Sequence, residues 1–264
     1  MKTLNSSEIW SFEAQAIHTV TYEHAYLNAL KILLHDKEVK IIDTAAGVGF
    51  PTNILYDAGY HNITGLDGDS DSAAYSSKSF KDKGMTISVA VGTWQTLSKT
   101  INDKFDVLLN VDNALVYMDG WSDDKNIVSG KDAVFKRFSI VLKEFLTVLK
   151  PGGMAILGLG KHYEPTQQGI PEGGGSGDNK VIPFDLIRDG EPVTMTWTIK
   201  RDWNTRHHYS HASVRSRNYV GDIVRAAYLI TKDELMQLMK EAGFFQVHLL
   251  VPDSTRDNLI IGIK

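Results

Sequence analysis

The chain contains no cysteine, which excludes disulfides, thiolate zinc sites and iron–sulfur clusters and fits a reducing compartment. It also lacks any apolar run close to the roughly eighteen residues that cross a bilayer, and its first ten residues have no signal-peptide core. No membrane partner is therefore expected, and the expected location is cytoplasmic. Charge of one sign is lacking as well: a net charge of −4 gives no global reason to expect nucleic acid. What is present is ordinary for a soluble globular protein. It has 42% hydrophobic and 23% charged residues, in a length of 264 that suits one elaborated α/β domain.

The informative segment is IIDTAAGVGFPT, residues 41–52. Two β-branched residues lead into Asp43, small residues follow with Gly47 and Gly49, and then comes the helix-like run NILYDAG. That order reads as a buried strand, a tight turn and a helix, the unit that holds a nucleoside cofactor in open α/β sheets. Glycine is needed where the backbone turns sharply or must touch a ligand, because a β-carbon would collide. Roughly two dozen residues after Asp43, Asp67 closes the next strand candidate, placed to accept hydrogen bonds from both hydroxyls of a ribose. A nicotinamide dehydrogenase is disfavoured, since Thr52 stands where its G-x-G-x-x-G fingerprint needs a third glycine. The pattern better suits S-adenosylmethionine, which has a ribose but no pyrophosphate; a purely structural glycine turn is the competing reading.

Strand candidates at 39–43, 62–67, 85–91, 105–111, 153–159, 244–250 and 258–264 alternate with helical stretches at 51–58, 70–82, 132–149 and 231–242. Residues 8–35 carry helical periodicity, with Ile9, Phe12 and Ala16 on one face and Tyr26, Leu27, Leu30, Leu33 and Leu34 later. Thr231 and Glu234 form a capping-box signature, and Pro151, Gly152 and Gly153 terminate the helix before them. Such alternation predicts an α/β fold, a mostly parallel seven-stranded sheet with helices on both faces and ligands at the carboxyl ends of its strands. Residues 160–180, rich in glycine and proline, read as a mobile loop. Residues 192–200, 206–217 and 220–230 read as an antiparallel β-ribbon inserted late in the sheet, a natural substrate lid. The chain thus divides, within one domain, into a helical segment (1–38), a cofactor core (39–160), a substrate loop and ribbon (161–230) and a closing helix with strands (231–264).

These motifs resemble those of the class I S-adenosylmethionine-dependent methyltransferases, a Rossmann-like fold, and within them the glycine/sarcosine N-methyltransferase group. The likeness is strongest over 39–164 and 231–264. DTAAGVG is similar to the family's cofactor loop, which implies cofactor contacts at Asp43, Ala45, Gly47 and Gly49. LDGDS resembles the strand-two acid and its sequel, implicating Asp67, Gly68 and Asp69. GTWQTL resembles the segment framing the adenine, with Thr93 and Trp94, and LLNVDNALVYM resembles the fourth strand and its loop, with Asn110, Val111 and Asn113. Trp10 falls where that group has a tryptophan near the cofactor. The resemblance implies methyl transfer to a small molecule, leaving S-adenosylhomocysteine as product. An amine acceptor is favoured, with an oxygen acceptor second and a non-catalytic cofactor binder third. Oligomeric state stays open, a homo-oligomer included.

The group's substrate-clamping arginine after strand five is Lys161 here, which keeps the charge but loses the bidentate fork. The group's N-terminal arginine has no counterpart between Ala16 and Glu23. Asn113, Lys161 and Tyr163 are the residues expected to orient the acceptor, with Tyr117 as a further pocket wall. A hydroxyl acceptor would want a general base, and His162 is the sequence candidate, against a solvent-exposed loop histidine. Trp94 reads as adenine wall or core tryptophan, Asp69 as cofactor contact or cap of the next helix, and Asn113 as substrate contact or turn-former. In the trio His207, His208 and His211 only the first and last share a strand face, so no metal site is expected. The cations Lys200, Arg201, Arg206, Arg215, Arg217 and Arg225 could grip phosphates or an anionic substrate, or form the solvated face of a ribbon.

Overall fold

Ile41 and Ile42 are adjacent and both fully buried. Neighbours on a strand point to opposite faces, so that strand must be covered on both sides. The computed structural model describes residues 1–118, 130–161 and 178–264. In chain order, β1 (Lys2–Thr3) precedes helices α1 (Ser6–Ile17) and α2 (Val20–Leu33). Then come β2 (Ile41–Asp43), α3 (Thr52–Asp57), β3 (Ile63–Asp67), α4 (Ser70–Asp82), β4 (Ser88–Val91), α5 (Leu97–Thr100) and β5 (Phe105–Asn110). Helix α6 (Lys131–Val148) runs into β6 (Leu149–Gly160), followed by β7 (Asp178–Arg188), β8 (Glu191–Asp202), β9 (His207–Arg215) and β10 (Tyr219–Tyr228). Helix α7 (Lys232–Ala242) and strands β11 (Gln246–Leu250) and β12 (Asp257–Ile263) complete the chain.

The main sheet has seven strands in the order β11-β12-β6-β5-β2-β3-β4. Strands β4, β3, β2, β5 and β6 pair in parallel, while β12 runs antiparallel between β6 and β11. This is the expected Rossmann-like arrangement. Its faces carry separate cores: Ile42, Leu108 and Leu157 pack with Phe138, Phe145 and Met239 of α6 and α7. On the other face Ile41, Val107 and Ile156 pack with Tyr26 and Leu30 of α2 and Leu55 of α3. The order reverses at β2, whose neighbours are β5 and β3, and a crevice opens there beyond the carboxyl ends of the strands.

Two expectations are corrected. The periodicity over 8–35 is interrupted: His18 has φ −87° and ψ 68°, and Thr19 begins a second helix by accepting a hydrogen bond from the Tyr22 amide at 3.3 Å. A threonine cap competes with helix continuation more strongly than apolar spacing reveals. The late ribbon, in turn, is a separate five-stranded sheet in the order β1-β10-β9-β8-β7. Its strand β7 covers residues 178–180, expected as loop, and continues through 188; residues 162–177 lie outside the described residues. Helix α1 packs on this sheet through Ile9 and Phe12, against Met195, Ala212 and Val214.

The carboxyl end of β6 passes directly under the turn after β5. A β-carbon on Gly158 would lie 2.8 Å from the Asp112 amide nitrogen and 2.9 Å from the Val111 Cα, both backbone atoms with no room to yield. Gly158→Ala should therefore destabilise the fold by about 1–3 kcal/mol, seen as an earlier denaturation midpoint with an unchanged slope. An unaltered midpoint would show that the turn is free to shift.

Candidate active site

Strand β2 ends in an acid that never reaches solvent. Asp43 is fully buried, and its carboxyl accepts hydrogen bonds from the Ala45 amide at 3.1 Å and the Thr52 hydroxyl at 2.7 Å. It thereby holds the loop after β2 to the start of α3. Burial pushes its pKa up to about 7, against those two hydrogen bonds. Gly47 adopts φ +49°, and a β-carbon there would lie 3.1 Å from Trp10 Nε1, so the glycine is needed both for the turn and for the close approach of α1. Its amide donates to Asp67 Oδ2 at 2.8 Å, while Asp67 Oδ1 accepts from the Asp69 amide at 2.9 Å. Burial raises the Asp67 pKa, and these amides oppose the rise.

Above these strand ends lies a cavity of about 490 Å³. Ala45, Gly47, Asp67, Gly68, Asp69, Thr93, Trp94, Val111 and Trp10, the residues read from the sequence as candidate cofactor contacts, line it. Trp94 does two jobs: its Nε1 donates to the Thr44 carbonyl at 2.5 Å, and its ring packs on the core while facing the cavity. Asp69 caps α4 through the Ser72 amide at 3.1 Å, as one of its two readings expected, and it also borders the cavity. Asp43, Gly49 and Asn110 stand behind the lining; Asn110 Nδ2 donates to Thr44 Oγ1 at 3.0 Å, tying β5 to the loop after β2.

The residues expected to orient the acceptor are placed differently. The Asn113 side chain accepts from the Gly160 amide at 3.0 Å, and Lys161 Nζ donates to the Pro252 carbonyl at 2.6 Å; neither borders the cavity. His162 and Tyr163 lie outside the described residues. Tyr117 does line the cavity, with its hydroxyl 3.1 Å from His208 Nε2. Burial, with Arg201 and Arg225 nearby, pushes the His208 pKa down to about 3, so the ring is neutral.

Sequence reasoning missed the remaining wall. His18, at the break between α1 and α2, lies 2.9 Å from Asp112 Oδ2, and the Tyr22 hydroxyl donates to Asp112 Oδ1 at 3.1 Å. Burial works against ionisation of Asp112, but His18 and Arg256 overcome it and hold the carboxyl below its ordinary range. Both Asp112 (φ 55°) and Asn113 (φ 61°) are left-handed. Consecutive Asp and Asn after a buried strand were the available signal, since these types tolerate that conformation best. Arg225 of β10 also borders the cavity, ion-paired with Glu13 of α1 in full burial, its guanidinium 5.2 Å from the Trp10 ring centre. Of the other basic residues, Arg206 meets Glu234 and the Leu229 carbonyl, Arg215 meets Asp222 at the surface, and Lys200 and Arg217 are exposed. His207 and His208 do sit on opposite faces of β9. Among the described residues no three metal-ligating side chains converge.

The fold and cavity define a methyl-transfer enzyme. Residues 42–157 match the family model of the methyltransferase domain, so the chain carries a methyltransferase domain, set in the Rossmann-like class I fold of S-adenosylmethionine-dependent enzymes. The cavity fits that cofactor on its own terms: Asp67 at the end of β3 borders it beside the backbone of the Gly47 turn and the Trp94 ring. Among similar solved structures is an S-adenosylmethionine-dependent methyltransferase from Clostridium acetobutylicum, with TM-score 0.67 at 17% identity over 98% of this chain and 99% of that one. Another is CalS10 from Micromonospora echinaspora, an amino pentose methyltransferase solved with S-adenosylmethionine bound, with TM-score 0.67 at 13% identity over 100% and 99%. A third is the sugar N-methyltransferase KedS8 from a Streptoalloteichus species, with TM-score 0.68 at 12% identity over 100% and 96%. No curated protein matches the sequence.

Two outcomes follow. Asp67→Ala should weaken S-adenosylhomocysteine binding by about 100-fold or more in calorimetric titration, since it removes both a buried acceptor and the anchor of Gly47; retained affinity would exclude Asp67 from the site. A carboxyl raised by burial stabilises the fold in its protonated form. The Asp43 contribution is therefore complete below its ordinary 3.8 and is lost as pH rises to about 7. Thermal stability should accordingly decline across that window, and Asp43→Asn should flatten the decline; identical pH profiles for the two proteins would refute the assignment.

Proposed function

We propose that the protein methylates a nitrogen atom of a small amine. The observation that carries this reading is the Asp112 carboxylate, ionised and set on the cavity wall among the rings of Trp10, His18, Phe50 and Tyr117. A carboxylate among aromatic faces favours a cationic group such as an ammonium. Two structural neighbours, a sugar N-methyltransferase and a glycopeptide N-methyltransferase, support the nitrogen reading, and a third, named for O-methyl transfer, keeps oxygen as the second reading. A cavity of about 490 Å³ suits small ligands.

When bound, S-adenosylmethionine supplies a methyl group already activated on a positively charged sulfur. The chain's own residues then have three tasks. Asp67 and the backbone around Gly47 hold the ribose, and Trp94 with Asp69 flanks the base. Asp112 and the aromatic walls place the amine, where orientation alone can contribute roughly 7–11 kcal/mol in favourable cases. Asn113 and Lys161 act at one remove, fixing the strand-end loops through Gly160 and Pro252.

The test is a transfer assay with methyl-labelled S-adenosylmethionine against a panel of amino sugars, aliphatic amines, amino acids and phenols. Label should enter amines, and Asp112→Ala should raise the amine KM by at least about tenfold. Transfer to phenols alone would replace the nitrogen reading with an oxygen one.

A further inference from the structure

We propose that His18 is the proton acceptor for the methyl-receiving atom, held in its working tautomer by Asp112. The inference deepens the amine reading but needs from it only the identity of the atom that gives up the proton; a hydroxyl would use the same nitrogen.

The geometry begins with the backbone. Two successive left-handed residues that are not glycine, Asp112 and Asn113, are an uncommon conformation, kept only where the surroundings over-determine it. Here they do. The Asn113 side chain is bonded to the Gly160 amide, the Asp112 amide donates to the Tyr26 hydroxyl at 3.3 Å, and Gly158 leaves space beneath. The turn presents the Asp112 carboxylate to the cavity and to the gap between α1 and α2. His18 occupies that gap, where the backbone is not helical, and it borders the cavity as well.

An ionised carboxylate only accepts hydrogen bonds. Asp112 Oδ2 faces His18 Nε2 at 2.9 Å, so Nε2 carries a hydrogen. In the neutral ring the lone pair is therefore on Nδ1, which makes no hydrogen bond among the described residues. Neighbours fix the plane of the ring: Tyr22 stacks on it at 5.6 Å and 3°, Phe50 lies at 4.3 Å, and Trp10 meets it edge-on at 6.3 Å. A base oriented by a carboxylate is the arrangement that activates nucleophiles in unrelated enzymes.

The proton step balances within these groups. The N–H bond of the acceptor breaks, its electron pair stays on nitrogen, and the proton goes to Nδ1. The imidazolium so formed is neutralised by Asp112. The ionisable groups around this pair are Tyr22 on α2, Tyr26, Asp257 and Arg256 behind Asp112, and the Glu13–Arg225 pair across Trp10. Tyr22 stays protonated, because burial and the Asp112 charge both raise its pKa.

The first test needs no acceptor. Protein labelled with ¹⁵N-histidine and saturated with S-adenosylhomocysteine should show His18 at about pH 8 as a neutral ring protonated at Nε2. A ring protonated at Nδ1, or at both nitrogens, would overturn the proposal. This spectrum uses the unsubstituted protein, so it holds whether or not any variant folds. With an amine found by the transfer assay, His18→Gln should lower kcat by about 100-fold or more, leave the affinity for S-adenosylhomocysteine within about threefold, and show a kcat that climbs further into the alkaline range. An unchanged kcat, or a loss matched by an equal loss of cofactor-product affinity, refutes a proton-accepting role. If no amine accepts label, the tautomer still decides the role of His18, so the two readings fail separately.

Discussion

The hydrogen bond from the Gly47 amide to the Asp67 carboxylate joins the loop after β2 to the end of β3, and the cavity takes its shape from that junction. An acid buried at a strand end needs amide donors. The donors here are the amides of the glycine turn itself and of Asp69. Satisfying one carboxylate therefore fixes two of the loops that border the cavity. Asp43 repeats the device one strand over with Ala45 and Thr52, and Trp94 adds a third tie through the Thr44 carbonyl. A ligand meets walls already set by backbone hydrogen bonds, so little ordering remains to be done at binding.

Legibility in the sequence followed the range of the interactions. The glycine loop, Asp67 and α4 could be read directly because strand, turn and helix are contiguous there, and α4 occupies the expected 70–82. The seven-stranded sheet was legible from its alternation. The break at His18 was not, because one threonine cap cancels a helix without disturbing its apolar spacing. Asp112 was passed over for its neighbour Asn113 because resemblance names positions, whereas the direction of a side chain depends on φ at each residue of the turn. The second sheet reads as a ribbon when the Asp189-Gly190 turn that pairs β7 with β8 is left out, and its β1 pairs Lys2 and Thr3 with Tyr219 and Val220 near the other end of the chain. Pairing over such distances leaves no local trace.

The charges tell a similar story. A basic run in the sequence suggests an external anion, yet in the fold Arg206 pairs with the half-buried Glu234, Arg215 pairs with Asp222 at the surface, and Arg225 is buried with Glu13. Composition records how many charges a segment has; partners at long sequence separation decide what they do.

That last pair reaches beyond electrostatics. Glu13 belongs to α1, which also carries Trp10 over the glycine turn, and Arg225 belongs to β10 in the second sheet. Separating two buried, mutually neutralised charges is far costlier than sliding exposed ones apart. Helix α1 and the five-stranded sheet are thus pinned as one body. Displacing Trp10 from the glycine turn would therefore drag β10 and its sheet with it, so the wall over the turn and the second sheet cannot move independently.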